Sequence, residues 1–163
     1  MEVVTLTGFE AFFREQQPRL VAVGIALTGD AEEAKELAQE ALLRAFRSWD
    51  RIADYDEPGR WVRRVLVNLA RDRHRHDLVA ARLQHRLAAD GYAVVPDPQA
   101  DEWWRAVLSL PERQRAAVAL HHLDDLPIRE VARILGVSSG TVKASLSHAR
   151  RTLAKTLSRE EDR

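Results

Sequence analysis

The sequence has no cysteine, one methionine and seven glycines in 163 residues, and only 6% of it is aromatic. Without cysteine there can be no disulfide and no zinc–thiolate site, and a reducing compartment is allowed. No apolar run is long enough to span a bilayer. The opening Met-Glu-Val-Val-Thr lacks the basic and apolar regions of a signal peptide, so the default location is the cytoplasm. There is no glycine-rich phosphate loop, no nucleophile motif and no metal-ligand set. His74 and His76 splay on a helix, His121 and His122 are adjacent, and Asp54, Asp56 and Glu57 lack the spacing of a calcium loop. These absences argue against an enzyme, a cofactor or a bound metal.

What is present favours helices. Hydrophobic residues make up 45% of the chain and charged residues 31%, the balance of a folded globular protein. With few aromatics, apolar volume must come from Leu, Val and Ala, and scarce glycine leaves helical segments unbroken. The expected fold is all-α, in two small helical domains joined by a flexible linker. Domains this small bury little surface, so a partner covering apolar faces is expected.

Apolar spacing places a helix over Phe9 to Leu27, kinked or interrupted at Pro18. Gly29 stops it, and Asp30 caps the next, with Glu33 completing a capping-box-like start. That second helix runs to about Trp49. Asp50 to Pro58 is a loop, and a third helix starts near Gly59. Asp90 to Asp101 holds Gly91, Pro96 and Pro98 and no basic residue, the clearest linker in the chain. This sets domains at 1–88 and 102–163, with 89–101 between them. A short helix from about Glu102 to Ser109, one begun by Pro111, one over Ile128 to Leu135 and a last from about Ser139 to Ser158 follow. The chain ends soon after that, so no further C-terminal domain is expected.

The formal net charge is zero, but its distribution is uneven. Eight arginines lie between Arg60 and Arg86 against Asp72 and Asp77. Lys143, Arg150, Arg151 and Lys155 occupy Thr141 to Lys155 with no acid. Two basic stripes separated by acidic segments imply two nucleic-acid contacts and a further contact of another kind.

Ile128 to Lys143 reads as a helix-turn-helix. Val131, Ile134 and Leu135 face a core, Ala132 is small where helices cross, and Gly136 supplies the positive φ of a tight stop. Val137 plugs the turn and Ser138 caps the next helix, which buries Val142, Leu146, Ala149, Leu153 and Leu157. Its other face carries Lys143, Ala144, Ser147, His148 and Arg151, with Ser139 and Thr141 at the start. Short polar and basic side chains there suit phosphates and major-groove base edges. In the N-terminal half Asn68, Arg71, Asp72 and Arg75 fall at i, i+3, i+4 and i+7 and share a face. Asn68 can donate and accept toward a base edge while the arginines hold phosphates.

These segments resemble a known family. Leu110-Pro-Glu-Arg-Gln-Arg, Leu126-Pro-Ile-Arg-Glu-Val-Ala, Gly136-Val-Ser-Ser-Gly-Thr-Val-Lys and Ala149-Arg-Arg-Thr-Leu are similar to region 4 of sigma factors of the extracytoplasmic-function (ECF) type. Response regulators of the LuxR type share the helix-turn-helix, so the N-terminal half decides. Glu36-Leu-Ala-Gln-Glu40 resembles region 2.2, with Glu36 where aspartate is more usual. Trp61-Val-Arg-Arg-Val-Leu-Val-Asn-Leu-Ala-Arg-Asp-Arg-His-Arg resembles regions 2.3 and 2.4.

The resemblance implies a sigma factor that binds core RNA polymerase through the beta-prime clamp helices and the beta flap. Glu36, Gln39 and Glu40 would face polymerase. Ser139, Thr141, Lys143, Ala144, Ser147, His148 and Arg151 would read the minus-thirty-five element. Asn68, Arg71, Asp72 and Arg75, with Tyr55 from the loop, would open the minus-ten element by trapping a flipped base. Trp61 belongs to the core rather than to a base stack. The acidic linker would thread toward the RNA exit path, or serve as a plain tether. An anti-sigma factor is a plausible partner. The rival reading is a stand-alone helix-turn-helix regulator binding duplex DNA as a dimer.

Overall fold

The first helix, α1 (Glu2–Thr28), passes through Pro18 without a break. In this computed structural model, backbone is described for residues 2–80 and 102–161 and side chains for 8–74 and 102–159. The sequence reading expected Pro18 to kink or interrupt the helix; an interruption is not found. Proline removes the amide that would bond the Arg14 carbonyl, but Arg14 and Pro18 both lie on the exposed side, where water can replace that bond. The opposite side buries Phe12, Gln16, Leu20 and Val21, which holds the two halves of the helix in line.

Gly29, at φ +75°, ends α1 by donating its amide to the Ile25 carbonyl at 2.7 Å. The chain reverses into α2 (Ala31–Arg47), whose first turn is capped by Asp30 accepting from the Glu33 amide at 2.9 Å. This is the expected cap, and its removal would expose an orphan donor. Gly24 lets the two helices cross closely: a Cβ there would sit 3.0 Å from that of Ala34. A short turn, α3 (Trp49–Ile52), occupies part of the stretch read as loop, because Trp49 and Ile52 are buried. Then α4 (Pro58–Ala80) lays Val62, Leu66 and Val67 against α1 and α2.

The C-terminal half comprises α5 (Glu102–Leu108), α6 (Glu112–Val118), a π-helical turn (Ala119–Leu123), α7 (Ile128–Leu135) and α8 (Ser139–Glu161). Among the described residues every regular element is helical. The segment read as linker, and the limits drawn at 88 and 89, fall outside them.

The two halves pack against each other. The hydrophobic core is continuous from Phe12 in α1 to Ala149 in α8. α1 rests on the π-helical turn and on α6, and α4 rests on α7. Where they meet, Arg63 of α4 makes a two-pronged ion pair with Asp124, one arm at 2.6 Å, and both side chains are buried. Burial, with repulsion from Arg19 added, pulls the Arg63 guanidinium down to about 10, so it stays charged at neutral pH.

Two predictions follow from this architecture. Gly136, at φ +67°, has open space around a notional Cβ, so Gly136→Ala should cost only the left-handed backbone penalty, about 1–2 kcal/mol, read from chemical denaturation. The second concerns His122, which partial burial, His121 and Arg150 hold below the ordinary histidine value. The unfolded chain therefore takes up this proton first as pH falls. Stability should be full above roughly pH 6.5 and decline below it, and His122→Gln should flatten that slope in urea midpoints measured across the range.

Candidate nucleic-acid interface

The helix-turn-helix is built by local chemistry. Gly136 ends α7 in the left-handed conformation, and the Val137 amide donates back to the Ala132 carbonyl at 3.0 Å, closing a Schellman-type stop. Ser138 then caps α8, its hydroxyl accepting from the Thr141 amide at 3.1 Å. Val131, Ala132, Ile134 and Leu135 are buried on α7, and Val142, Leu146 and Ala149 are buried on α8. The spacing assigned these residues to the helix-turn-helix interior; Leu153 and Leu157, which it also placed on the buried face of α8, are only partly buried.

That burial fixes which side of α8 looks outward. Ser139, Thr141, Lys143, Ala144, Ser147, His148 and Arg151 are all exposed. Arg151 donates to the Ser147 hydroxyl at 3.4 Å, which lays the guanidinium along the face. The Thr141 hydroxyl is shared with Ser138 at 2.9 Å, so it takes part in the cap as well. Arg150, counted in the sequence as part of the basic stripe only, is exposed beside them.

The second predicted surface lies on α4. Asn68 and Asp72 are exposed on one face. Arg71, on the same face, is half-buried and donates to the Leu135 carbonyl at the end of α7, at 2.7 Å. Arg75 lies on α4 beyond the last side chain described there. Tyr55 is exposed in the loop before α4, where Glu57 approaches Arg60 at 3.8 Å. Trp61 is partly buried and packs on the core.

The acidic face of α2 is also outward. Glu36 and Gln39 are exposed and Glu40 is partly so. Glu36 pairs with Arg73 at 2.9 Å and Glu40 with Arg44 at 2.8 Å. Further along α2, Leu43 and Phe46 are exposed apolar groups, as is Phe13 of α1, and Phe13 and Phe46 both pack against Phe9. All four phenylalanines gather here with Trp49, ring centres 4.9 to 6.3 Å apart. The scarcity of aromatics was visible in the sequence; their collection at one end of α1 and α2 was not.

Comparison with known proteins matches these halves separately. The family model for Sigma-70 region 2 covers residues 12–77 and that for Sigma-70, region 4, covers 100–153. An RNA polymerase sigma-E factor of Streptomyces avermitilis is 33% identical over 156 residues, covering 91% of this chain and 84% of that one. This chain belongs to the ECF sigma factors of the sigma-70 family. The ECF RNA polymerase sigma factor SigW of Bacillus subtilis is 29% identical, covering 80% of this chain and 79% of its own. Among solved structures, the sigma factor RpoE of Bartonella quintana, in complex with the anti-sigma factor NepR, shares the fold with a TM-score of 0.72. Its identity is 24%, over 92% of this chain and 96% of that one.

As an ECF sigma factor, the chain works with core RNA polymerase and promoter DNA to direct promoter-specific transcription initiation. The stand-alone regulator reading is not favoured, because it leaves the region 2 match unexplained.

The residues that sequence reasoning missed are Arg63 and Asp124. Arg63 was counted among the basic stripe, yet it lies on the buried side of α4 with Val62, Leu66 and Val67. Its position within that apolar spacing was the available signal.

The exposure of Lys143 at the start of α8 yields a quantitative expectation. If this ammonium meets a phosphate, Lys143→Ala should weaken duplex binding and reduce the slope of log affinity against log salt by about 0.9, measured by a salt titration of promoter binding.

Proposed function

We propose that the sigma factor grips its promoter at two points with separate faces. The α8 face, Ser139, Thr141, Lys143, Ala144, Ser147, His148 and Arg151, reads the minus-thirty-five element. The α4 face, Asn68, Arg71, Asp72 and Arg75, with Tyr55, traps a minus-ten base and opens the duplex. The observation that carries this reading is the outward display of the α8 residues, and of Asn68 and Asp72 on α4, on helices whose other sides are locked in the core. Rigid helices place side chains more accurately than loops do. A flipped base costs a few kcal/mol of lost stacking, so the receiving groups must be preorganised.

The α2 face binds core polymerase. Glu36, Gln39 and Glu40 supply charge for the beta-prime clamp helices, and exposed Leu43 and Phe46 extend that face with apolar surface. The C-terminal half reaches the beta flap. The two domains are residues 1–88 and 102–163, joined by 89–101. In this reading the chain is a specificity subunit and performs no chemistry itself. It works in the cytoplasm; among the described residues no helix is long and apolar enough to cross a membrane. An anti-sigma partner is part of the proposal, since the similar RpoE structure was determined with one.

Run-off transcription with purified core polymerase tests the whole. Initiation from a defined promoter only when this protein is added is the expected result. Duplex binding without polymerase association would overturn it. Asn68→Ala should impair strand opening, followed by permanganate reactivity, far more than closed-complex binding.

A further inference from the structure

We propose that the Arg63–Asp124 ion pair is a latch that holds the sigma factor closed, and that its ionic character keeps the closed form separable. The inference rests on the two-point reading above. Arg71, assigned to the minus-ten face, and Thr141, assigned to the minus-thirty-five face, line one cavity of about 440 Å³. The elements they would read are named for positions roughly 25 base pairs apart, on the order of 80 Å along duplex DNA at about 3.4 Å per pair. One cavity cannot serve both. The packed arrangement and the promoter-bound arrangement therefore exclude each other, and the halves must part before DNA is engaged at both points.

The chemistry of the joint shows what resists that parting. Four polar contacts from α4 to the C-terminal half run from a basic side chain to an acid or a carbonyl. Arg63 meets Asp124, and Arg60 meets Glu130 at 3.3 Å. Arg71 meets the Leu135 carbonyl, and His74 faces Glu112 at 3.7 Å. Glu130 is buried and is held from its other side by Arg133 at 3.0 Å. In the closed chain, then, the C-terminal half offers α4 the same kind of partner that a phosphate would offer. Arg71 is the direct case: its guanidinium cannot hold Leu135 and DNA in the same geometry.

Arg63 and Asp124 differ from the rest in being buried on both sides, at 5% and 1% side-chain exposure. Two buried charges recover in mutual attraction roughly what they lose in hydration, so the pair fixes the closed geometry and makes closure depend on both partners being present. Removing one partner leaves an uncompensated charge at the joint. Replacing both with apolar groups of similar size removes the hydration that favours opening. The two changes should act in opposite directions on the distance between the halves, whereas in a permanent core neither change would move the halves apart.

The absence of native cysteine makes the test direct. Fluorophores placed at exposed Arg51→Cys and Ser158→Cys report the distance between halves in the free, full-length protein by energy transfer. Asp124→Asn should lower transfer, and Arg63→Met/Asp124→Leu should keep it at or above the unsubstituted level. Apparent affinity of the polymerase-bound protein for its promoter follows the fraction of open chain, so it should rise about 3- to 10-fold in Asp124→Asn and fall in the apolar double variant. Unchanged transfer in a folded Asp124→Asn, or a drop in the double variant, overturns the latch. Helical circular dichroism checks the fold. Should Asp124→Asn fail to fold, the swap Arg63→Asp/Asp124→Arg takes its place: restored closure supports the latch and an open chain refutes it. The transfer measurement needs no polymerase, so a failure of run-off transcription alone would strike the promoter reading and leave the latch standing.

Discussion

A guanidinium and a carboxylate locked together beneath α4 set the relation between the halves of this protein. Arg63 sits one residue beyond Val62 on a stripe that is otherwise apolar, and Asp124 comes from the turn that follows the π-helical segment. Neither could be buried alone, since an unpaired charge in that position costs several kcal/mol. Their pairing therefore fixes the register of α4 against the C-terminal half. With that register set, Arg60 falls opposite Glu130 and Arg71 opposite the end of α7. The faces left outward are those that α4 and α8 present away from the joint.

The parts of this arrangement that were legible in the sequence are those governed by a few neighbouring residues. Asp30 and Ser138 cap their helices as read, because a cap needs only a side-chain oxygen and an amide three residues on. Gly136 stops α7 for an equally local reason. The outward face of α8 followed from the period of Val142, Leu146 and Ala149. The failures have a common cause. An interruption at Pro18 was one of the two outcomes read there, beside a kink, because the burial that stabilises the flanking turns comes from other helices. The bond from Arg71 to the Leu135 carbonyl could not be foreseen either, because the two are 64 residues apart. Local pattern assigns a side to each residue of a helix; it does not say which of those sides another helix will cover.

The aromatic residues show the same limit from the other direction. A chain with four phenylalanines could have spread them through its core. Instead they cluster with Trp49, and Phe13 and Phe46 remain substantially exposed, as does Leu43 of α2. Exposed aromatic surface is thus gathered on α1 and α2, the second of which also carries Glu36 and Glu40. Charge gives direction to an encounter and aromatic area gives it contact, so the two together make a more selective surface than either alone.

The π-helical turn at Ala119–Leu123 carries one residue more than an α-helix would use to cover the same rise. Its geometry brings the Asp124 amide to the Ala119 carbonyl at 3.2 Å and leaves Asp125 in the left-handed region, at φ 54°. Each residue of an α-helix turns the chain through about 100°. Loss of a single residue from this turn would therefore swing Asp124 away from Arg63 without changing any side chain at the joint. Chain length across five residues, as much as side-chain identity, is thereby under constraint: this is a place where substitution is tolerated more readily than deletion.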